Sequence, residues 1–167
     1  MSGTCIEFVG ATPKLRVTGN QTWGVAMSDR YSISEKELTR YLAIGTMIYE
    51  DEGRFEEACK LYGPDIPLAF LIARLRKKHE SWQEIINELQ YSRSIASLVL
   101  NNDHIYKLQT ACYLIERIGL LAFEPISDSI NIETATALFI GITRNGYTDW
   151  QETITVIRNS GFFREET

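Results

Sequence analysis

A mainly α-helical single domain is the fold class that this sequence predicts, and three observations lead to it. From Ser34 onward apolar residues recur at steps of three and four, the period of an amphipathic helix. Cap residues precede several of these segments, and the first thirty residues alternate instead with the period of a strand. A chain of 167 residues is expected to form one core. We therefore expect one domain over 1–167, in which a β-like element (1–30) packs on a compact bundle of about eight short-to-medium helices (34–160).

The N-terminal segment predicts a small β-hairpin. Apolar and polar or small residues alternate over 14–18 and again over 23–27, and Gly19-Asn20 between them suits a tight turn. Residues 5–9 would add a third short strand, with a break at 10–13. An isolated hairpin is only marginally stable in water, so this one is expected to pack on the helical body.

The first two helices are predicted from their ends. Ser34 and Glu37 have the spacing of a capping box, in which each side chain accepts a hydrogen bond from the other residue's backbone. A second, short helix covers 55–62, and Gly63-Pro64 stops it. Both segments carry apolar residues on one face, so each is expected to pack on the core.

The third helix is expected at the centre of the core, because the segment that Asp65 caps is apolar on most sides. The long helix is expected to end before Phe123, Glu124 and Pro125. Asn145-Gly146 predicts a left-handed cap on the helix before it. The remaining predicted helices cover 82–89, 93–100, 104–121, 132–143 and 150–159.

Two segments of four residues are near copies of each other, Ser81-Trp82-Gln83-Glu84 and Asp149-Trp150-Gln151-Glu152. Each has a cap residue, an aromatic residue, an amide and a carboxylate, which is the order of a capped first helical turn. An aromatic side chain at the first helical position is expected to fold over the helix start and seal a corner of the core.

The chain is acidic, with a formal charge of −5, and its charges are clustered. Such a field repels nucleic-acid phosphates and anionic lipid. The acidic cluster comprises Glu50, Asp51, Glu52, Glu56 and Glu57. The basic cluster comprises Arg74, Arg76, Lys77 and Lys78. Because carboxylates facing a basic partner speed encounter, the acidic cluster is the predicted partner-binding surface.

Catalytic equipment is not expected. The three cysteines are widely spaced, without the pairing typical of zinc or redox sites, and Cys112 lies in an apolar helix. No phosphate-binding loop or metalloprotease motif is present in the sequence. We expect no catalytic residue, no metal and no cofactor. The sparse cysteines, with no signal peptide and no membrane segment in view, predict a cytoplasmic protein.

One alternative interpretation is DNA binding. Residues 83–100 resemble a helix-turn-helix unit, with Ile85 and Leu89 at apolar positions of the first helix and Ser92-Arg93-Ser94 opening the recognition helix. The resemblance implies a transcriptional regulator. The residues expected to contact nucleic acid would then be Arg74, Arg76, Lys77, Lys78 and Arg93.

A second alternative is a divergent apoptosis regulator. Ile44-Gly45, then Trp82, then Asn145-Gly146 shortly before Trp150, are similar in order to the homology motifs of the B-cell-lymphoma family. This resemblance implies a helical bundle that binds a partner peptide in a groove.

The function favoured by the whole sequence is a non-catalytic acidic binding protein. It would act as an inhibitor, an immunity-type protein or a regulator through protein–protein interaction. Its partner would be another protein, with a basic surface facing the acidic cluster. The apolar helix faces predict core and interface equally well, so the sequence leaves the oligomeric state open.

Overall fold

The computed structural model describes residues 6–9, 12–15, 33–91 and 102–160, and this part of the chain is mainly helical, as predicted. Two short strands, β1 (Ile6–Val9) and β2 (Thr12–Leu15), pair antiparallel with Ile6 opposite Leu15. The hairpin predicted over 14–27 lies largely outside the described residues, so the N-terminal β element packed on the bundle stays a prediction.

In chain order, the helices of the described residues are α1 (Glu35–Glu50), α2 (Phe55–Tyr62), α3 (Asp65–Lys78), α4 (Trp82–Tyr91), α5 (Asn102–Ile118), α6 (Phe123–Ser129), α7 (Ile132–Asn145) and α8 (Trp150–Asn159). Short 3₁₀ turns, Glu52–Arg54 and Gly119–Ala122, precede α2 and α6. The helix predicted over 93–100 lies outside the described residues. No helix in the described part of the chain is long and apolar enough to cross a membrane.

Helix α6 corrects the sequence prediction, which placed a stop at residues 123–125. Pro125 lies in the first turn of α6, where a missing N–H has no intrahelical partner to lose. The preceding helix also ends earlier than predicted, at Ile118, because Gly119 has a φ of 61° that breaks the helical path.

Two predicted caps are also wrong. Asp65 is the first residue of α3 rather than its cap, and the cap position is Pro64, with no side-chain hydrogen bond. Gly146 has a φ of −85° and a right-handed conformation, so α7 ends without the predicted left-handed cap.

The capping boxes differ in completeness. The Ser34 box on α1 is reciprocal, with Glu37 N donating to Ser34 Oγ at 3.3 Å and Ser34 N to Glu37 Oε1 at 3.1 Å. The box formed by Ser81 and Glu84 on α4 is reciprocal as well. In the second copy Asp149 accepts from the Glu152 N–H at 2.9 Å, but the Glu152 carboxylate accepts a hydrogen bond from Thr148 instead.

Helices α3 and α7 form the centre of the core, as predicted for α3, since both are buried along most of their length. Small residues let them approach closely. A Cβ added to Gly141 in α7 would lie 2.6 Å from the Ala73 Cβ in α3, well inside van der Waals contact. A Cβ added to Gly45 in α1 would likewise meet the Trp150 ring at 2.8 Å. Trp150 thereby covers the junction of α1 with the core.

A buried polar network ties α1, α3 and α7 together. The Tyr49 hydroxyl lies 2.9 Å from the Gly141 carbonyl oxygen and 2.7 Å from Asn145 Oδ1. Asn145 Nδ2 donates to the Ala73 carbonyl at 2.7 Å. Because buried polar groups are costly without partners, this network fixes how the three helices meet.

We expect Tyr49→Phe to lower the free energy of unfolding by about 1–3 kcal/mol, because the one hydroxyl proton that Asn145 Oδ1 and the Gly141 oxygen share in the buried network is lost. Urea denaturation measures the change. Tyr62→Phe is the matched control, since the Tyr62 hydroxyl has no hydrogen-bond partner among the described residues. Equal effects of the two substitutions would contradict a stabilising role for the network.

Candidate functional site

The predicted acidic and basic clusters meet in the structure. Arg74 Nε donates to Glu52 Oε2 at 2.7 Å, and the Lys78 ammonium lies 3.8 Å from the other oxygen of Glu52. The 3₁₀ turn before α2 thus packs against the basic end of α3. The two clusters form one mixed-charge surface.

The remaining carboxylates of the acidic cluster divide into two groups. Glu57 is paired with Arg54 at 2.9 Å, and this hydrogen bond lowers the pKa of Glu57. Glu56 faces Lys60 at 3.5 Å. Glu50 and Asp51 are exposed and have no ion-pair partner among the described residues, although Asp51 accepts a hydrogen bond from the Gly53 N–H.

The basic cluster divides in the same way. Arg76 is half-buried, pairs with Glu116 at 3.0 Å, and lies over the rings of Trp82 and Tyr113 at 5.6 and 5.4 Å. Lys78 reaches Glu88 at 3.3 Å as well as Glu52. Lys77 is exposed and has no ion-pair partner in the described part of the chain. These contacts place Arg76 in a structural role.

The helix-turn-helix resemblance is described only in its first half. Ile85 and Leu89 of α4 are buried, as either a core helix or the first helix of such a unit requires. Arg93 and the rest of the recognition helix lie outside the described residues. DNA binding therefore stays a prediction.

His79 contacts a carboxylate, and Cys112 lies in the core. His79 Nε2 lies 2.7 Å from a Glu88 oxygen. Burial raises the pKa of Glu88, but hydrogen bonds from His79 and Lys78 outweigh it and hold the pKa below its ordinary value. Cys112 is fully buried, and burial raises the pKa of its thiol, which disfavours the reactive thiolate. Among the described residues no cluster of His, Cys, Asp or Glu has the arrangement of a metal site.

An apolar groove lies between α5 and α6. Its volume is about 170 Å³. Tyr106, Thr110 and Leu114 line one wall, at the spacing of one helix face, and Ile126 and Ile130 line the other. Sequence reasoning missed this groove because its second wall is α6, the helix that Pro125 concealed.

Exposed apolar side chains concentrate on α5 and on the 3₁₀ turn that follows it. Six large apolar residues are exposed in the described part of the chain, and four of them lie between positions 106 and 121. They are Tyr106, Tyr113, Ile118 and Leu121. Tyr106 is 66% exposed, although it borders the groove. Two tyrosines seven residues apart on the outer face of α5 were the signal available from the sequence.

Comparison with family models, with curated proteins and with solved structures finds no match to this chain. The resemblances to helix-turn-helix proteins and to apoptosis regulators gain no support from these comparisons.

Proposed function

We propose that this chain is a non-catalytic protein that acts by binding another protein, as an inhibitor, immunity-type protein or regulator. The observation that carries the proposal is the concentration of exposed apolar residues on α5, beside an apolar groove. Contiguous exposed apolar surface marks interaction sites in soluble proteins. The partner docks on this α5–α6 groove.

The groove favours a protein partner over a small molecule. Its volume of about 170 Å³ lies below the range of roughly 300–1,000 Å³ that is typical of ligand and cofactor pockets. A groove of this size suits one or two apolar side chains of a docked segment. Tyrosine is also enriched at protein interfaces, where its ring is buried and its hydroxyl stays at the rim.

The charges around the groove define the partner further. Glu124 is exposed in the first turn of α6. On α5, Lys107 is paired with Asp103 at 3.5 Å, so its charge is offset. The partner we propose is a segment with apolar anchors flanked by cationic side chains, which the net charge of −5 of this chain favours. Glu50 and Asp51 of the acidic cluster add to the long-range attraction of such a partner.

The proposal includes a cytoplasmic location. It is supported by the two cysteines of the described part of the chain, Cys59 and Cys112, which are both free thiols, as a reducing compartment favours.

We expect Tyr106→Ser to weaken partner binding by a factor of about 30 or more, the loss typical of an aromatic anchor. The measurement is affinity capture from nuclease-treated lysate, followed by titration of each captured protein against the purified variants. Leu61→Ser is the matched control, because Leu61 is an apolar residue of similar exposure, 63%, on α2. Circular dichroism checks that both variants are folded.

Three outcomes would contradict the proposal. A partner that binds wild type and Tyr106→Ser equally docks elsewhere. A partner lost only when Glu50 and Asp51 are reversed to lysine binds the acidic cluster alone. A groove that merely joins two copies of this chain would show as a dimer in sedimentation, which Tyr106→Ser converts to a monomer.

A further inference from the structure

Three cationic side chains lie near the C-terminal ends of α3 and α7, which are adjacent. Arg74 and Lys77 are three residues apart and so share a face of α3. The Arg74 and Arg144 guanidinium groups lie against the same Tyr49 ring, with their carbons 5.6 and 5.7 Å from its centroid. The Ala73–Asn145 hydrogen bond holds the two helix ends together at this point.

The cations are incompletely neutralised. Glu52 is paired with Arg74, but Lys77 and Arg144 have no carboxylate partner among the described residues. Arg144 Nη1 donates to the Tyr147 carbonyl at 2.8 Å, and its Nη2 makes no hydrogen bond within the described part of the chain. Glu52, which Lys78 shares, is the one carboxylate that pairs with any of these three cations among the described residues, so positive charge is in excess.

The pKa of Lys77 is affected by the neighbouring positive charges. Burial, and then the positive charges of Arg144 and Arg74, lower the pKa of the Lys77 ammonium. Helix C-termini attract cations, which explains why each of these residues is tolerated at a helix end. The cations repel one another, and an anion bound beside them would relieve that repulsion.

We propose that Arg74, Lys77 and Arg144 bind the dianionic phosphate group of a phosphate monoester. A monoester carries a charge between −1.5 and −2 near neutral pH, so a group of cations attracts it strongly. A phosphodiester in a nucleic-acid backbone carries a single negative charge and is attracted less strongly. Two arginines and a lysine are also the donors that phosphate oxygens prefer. This cationic cluster lies on other helices than the α5–α6 groove.

Trp150 can report on binding at this cationic cluster. The Arg144 guanidinium carbon lies 5.3 Å from the centroid of the Trp150 ring, so an anion that draws on Arg144 changes the surroundings of that indole. The probes are inorganic phosphate, glycerol 2-phosphate and a short oligonucleotide with no terminal phosphate. Each is titrated against the full chain while tryptophan fluorescence is recorded, and isothermal titration calorimetry gives an independent affinity. Trp150→Phe identifies the part of the fluorescence change that comes from the tryptophan beside the cationic cluster.

The variants are chosen to keep the fold intact. Lys77→Gln removes one cation from an exposed side chain that pairs with no described residue, so it is expected to fold normally. Lys36→Gln is the matched control, because Lys36 is also exposed and unpaired among the described residues but lies in the first turn of α1, whereas Tyr49 lies in the last. Both variants change the net charge by one unit.

We expect saturable binding of the monoester, weakened about tenfold or more by Lys77→Gln and unchanged by Lys36→Gln. If inorganic phosphate binds as tightly as glycerol 2-phosphate, the site recognises the phosphate group alone. Binding of the oligonucleotide that equals or exceeds that of the monoester would overturn the monoester assignment. Absence of saturable binding, or equal losses in the two variants, would overturn the site itself.

Discussion

Gly141→Val is expected to lower the free energy of unfolding by about 3 kcal/mol or more, a large part of the stability of a typical domain. The first carbon of the new side chain alone would lie 2.6 Å from the Ala73 Cβ and 3.4 Å from the Phe70 ring. Neither helix has room to retreat, because α3 and α7 are enclosed by the rest of the bundle. The measurement is thermal or urea denaturation followed by circular dichroism.

A paired exchange separates this contact from the other effects of the substitution. Ala73→Gly combined with Gly141→Ala moves the methyl group from one helix to the other and keeps the total volume. We expect the exchange to be more stable than Gly141→Ala alone, which the coupling energy of a double-mutant cycle measures. A cycle without favourable coupling, or a Gly141→Val protein as stable as wild type, would show that the close approach of the helices is not the constraint.

Arg76→Met is expected to lower the free energy of unfolding by about 3–5 kcal/mol at pH 7, the usual result of removing one partner of a buried ion pair. Its partner Glu116 is buried, with a side chain only 9% exposed. Burial raises the pKa of Glu116, and the hydrogen bond and charge of Arg76 act in the opposite direction. Without Arg76 the pKa of Glu116 is expected to rise further.

The stability lost on removing Arg76 is expected to depend on pH. A carboxyl whose pKa is higher in the folded state than in the unfolded chain binds its proton more tightly when folded, so stability falls as the pH rises above the ordinary glutamate value. The loss caused by Arg76→Met is therefore expected to be smaller at pH 5 than at pH 7. The double variant Arg76→Met with Glu116→Leu should recover much of the loss, since no charge is left buried. A loss independent of pH would contradict the role assigned to Glu116.

The elements that could be predicted are those whose signals are local. Ser34, with Glu37, marked the start of α1, and the continuous apolar stretch of α3 showed that this helix is central. Helix α6 was missed because Pro125 was interpreted as a stop, although proline is equally compatible with a first helical turn. One local signal had two meanings, and only the surrounding packing decides between them.

The candidate surfaces were harder to predict, because they depend on residues far apart in the sequence. One wall of the groove is formed by α6. The cationic cluster combines Arg144 with Arg74, which is seventy positions earlier in the sequence. The acidic and basic clusters were visible in the sequence, but their mutual pairing through Glu52 was not. Charge counts along a chain carry no information about which charges neutralise each other in the fold.

The length of helix α7 sets the distance between the two proposed surfaces. Ile130, in the wall of the groove, lies just before its first turn, and Arg144 lies in its last. Its 14 residues set these ends about 21 Å apart. At physiological ionic strength the interaction between exposed charges is screened over about 8 Å, so an ion bound at one end has little electrostatic effect at the other. The two surfaces can therefore be occupied together, and a single partner that engages both has to bridge the full length of this helix.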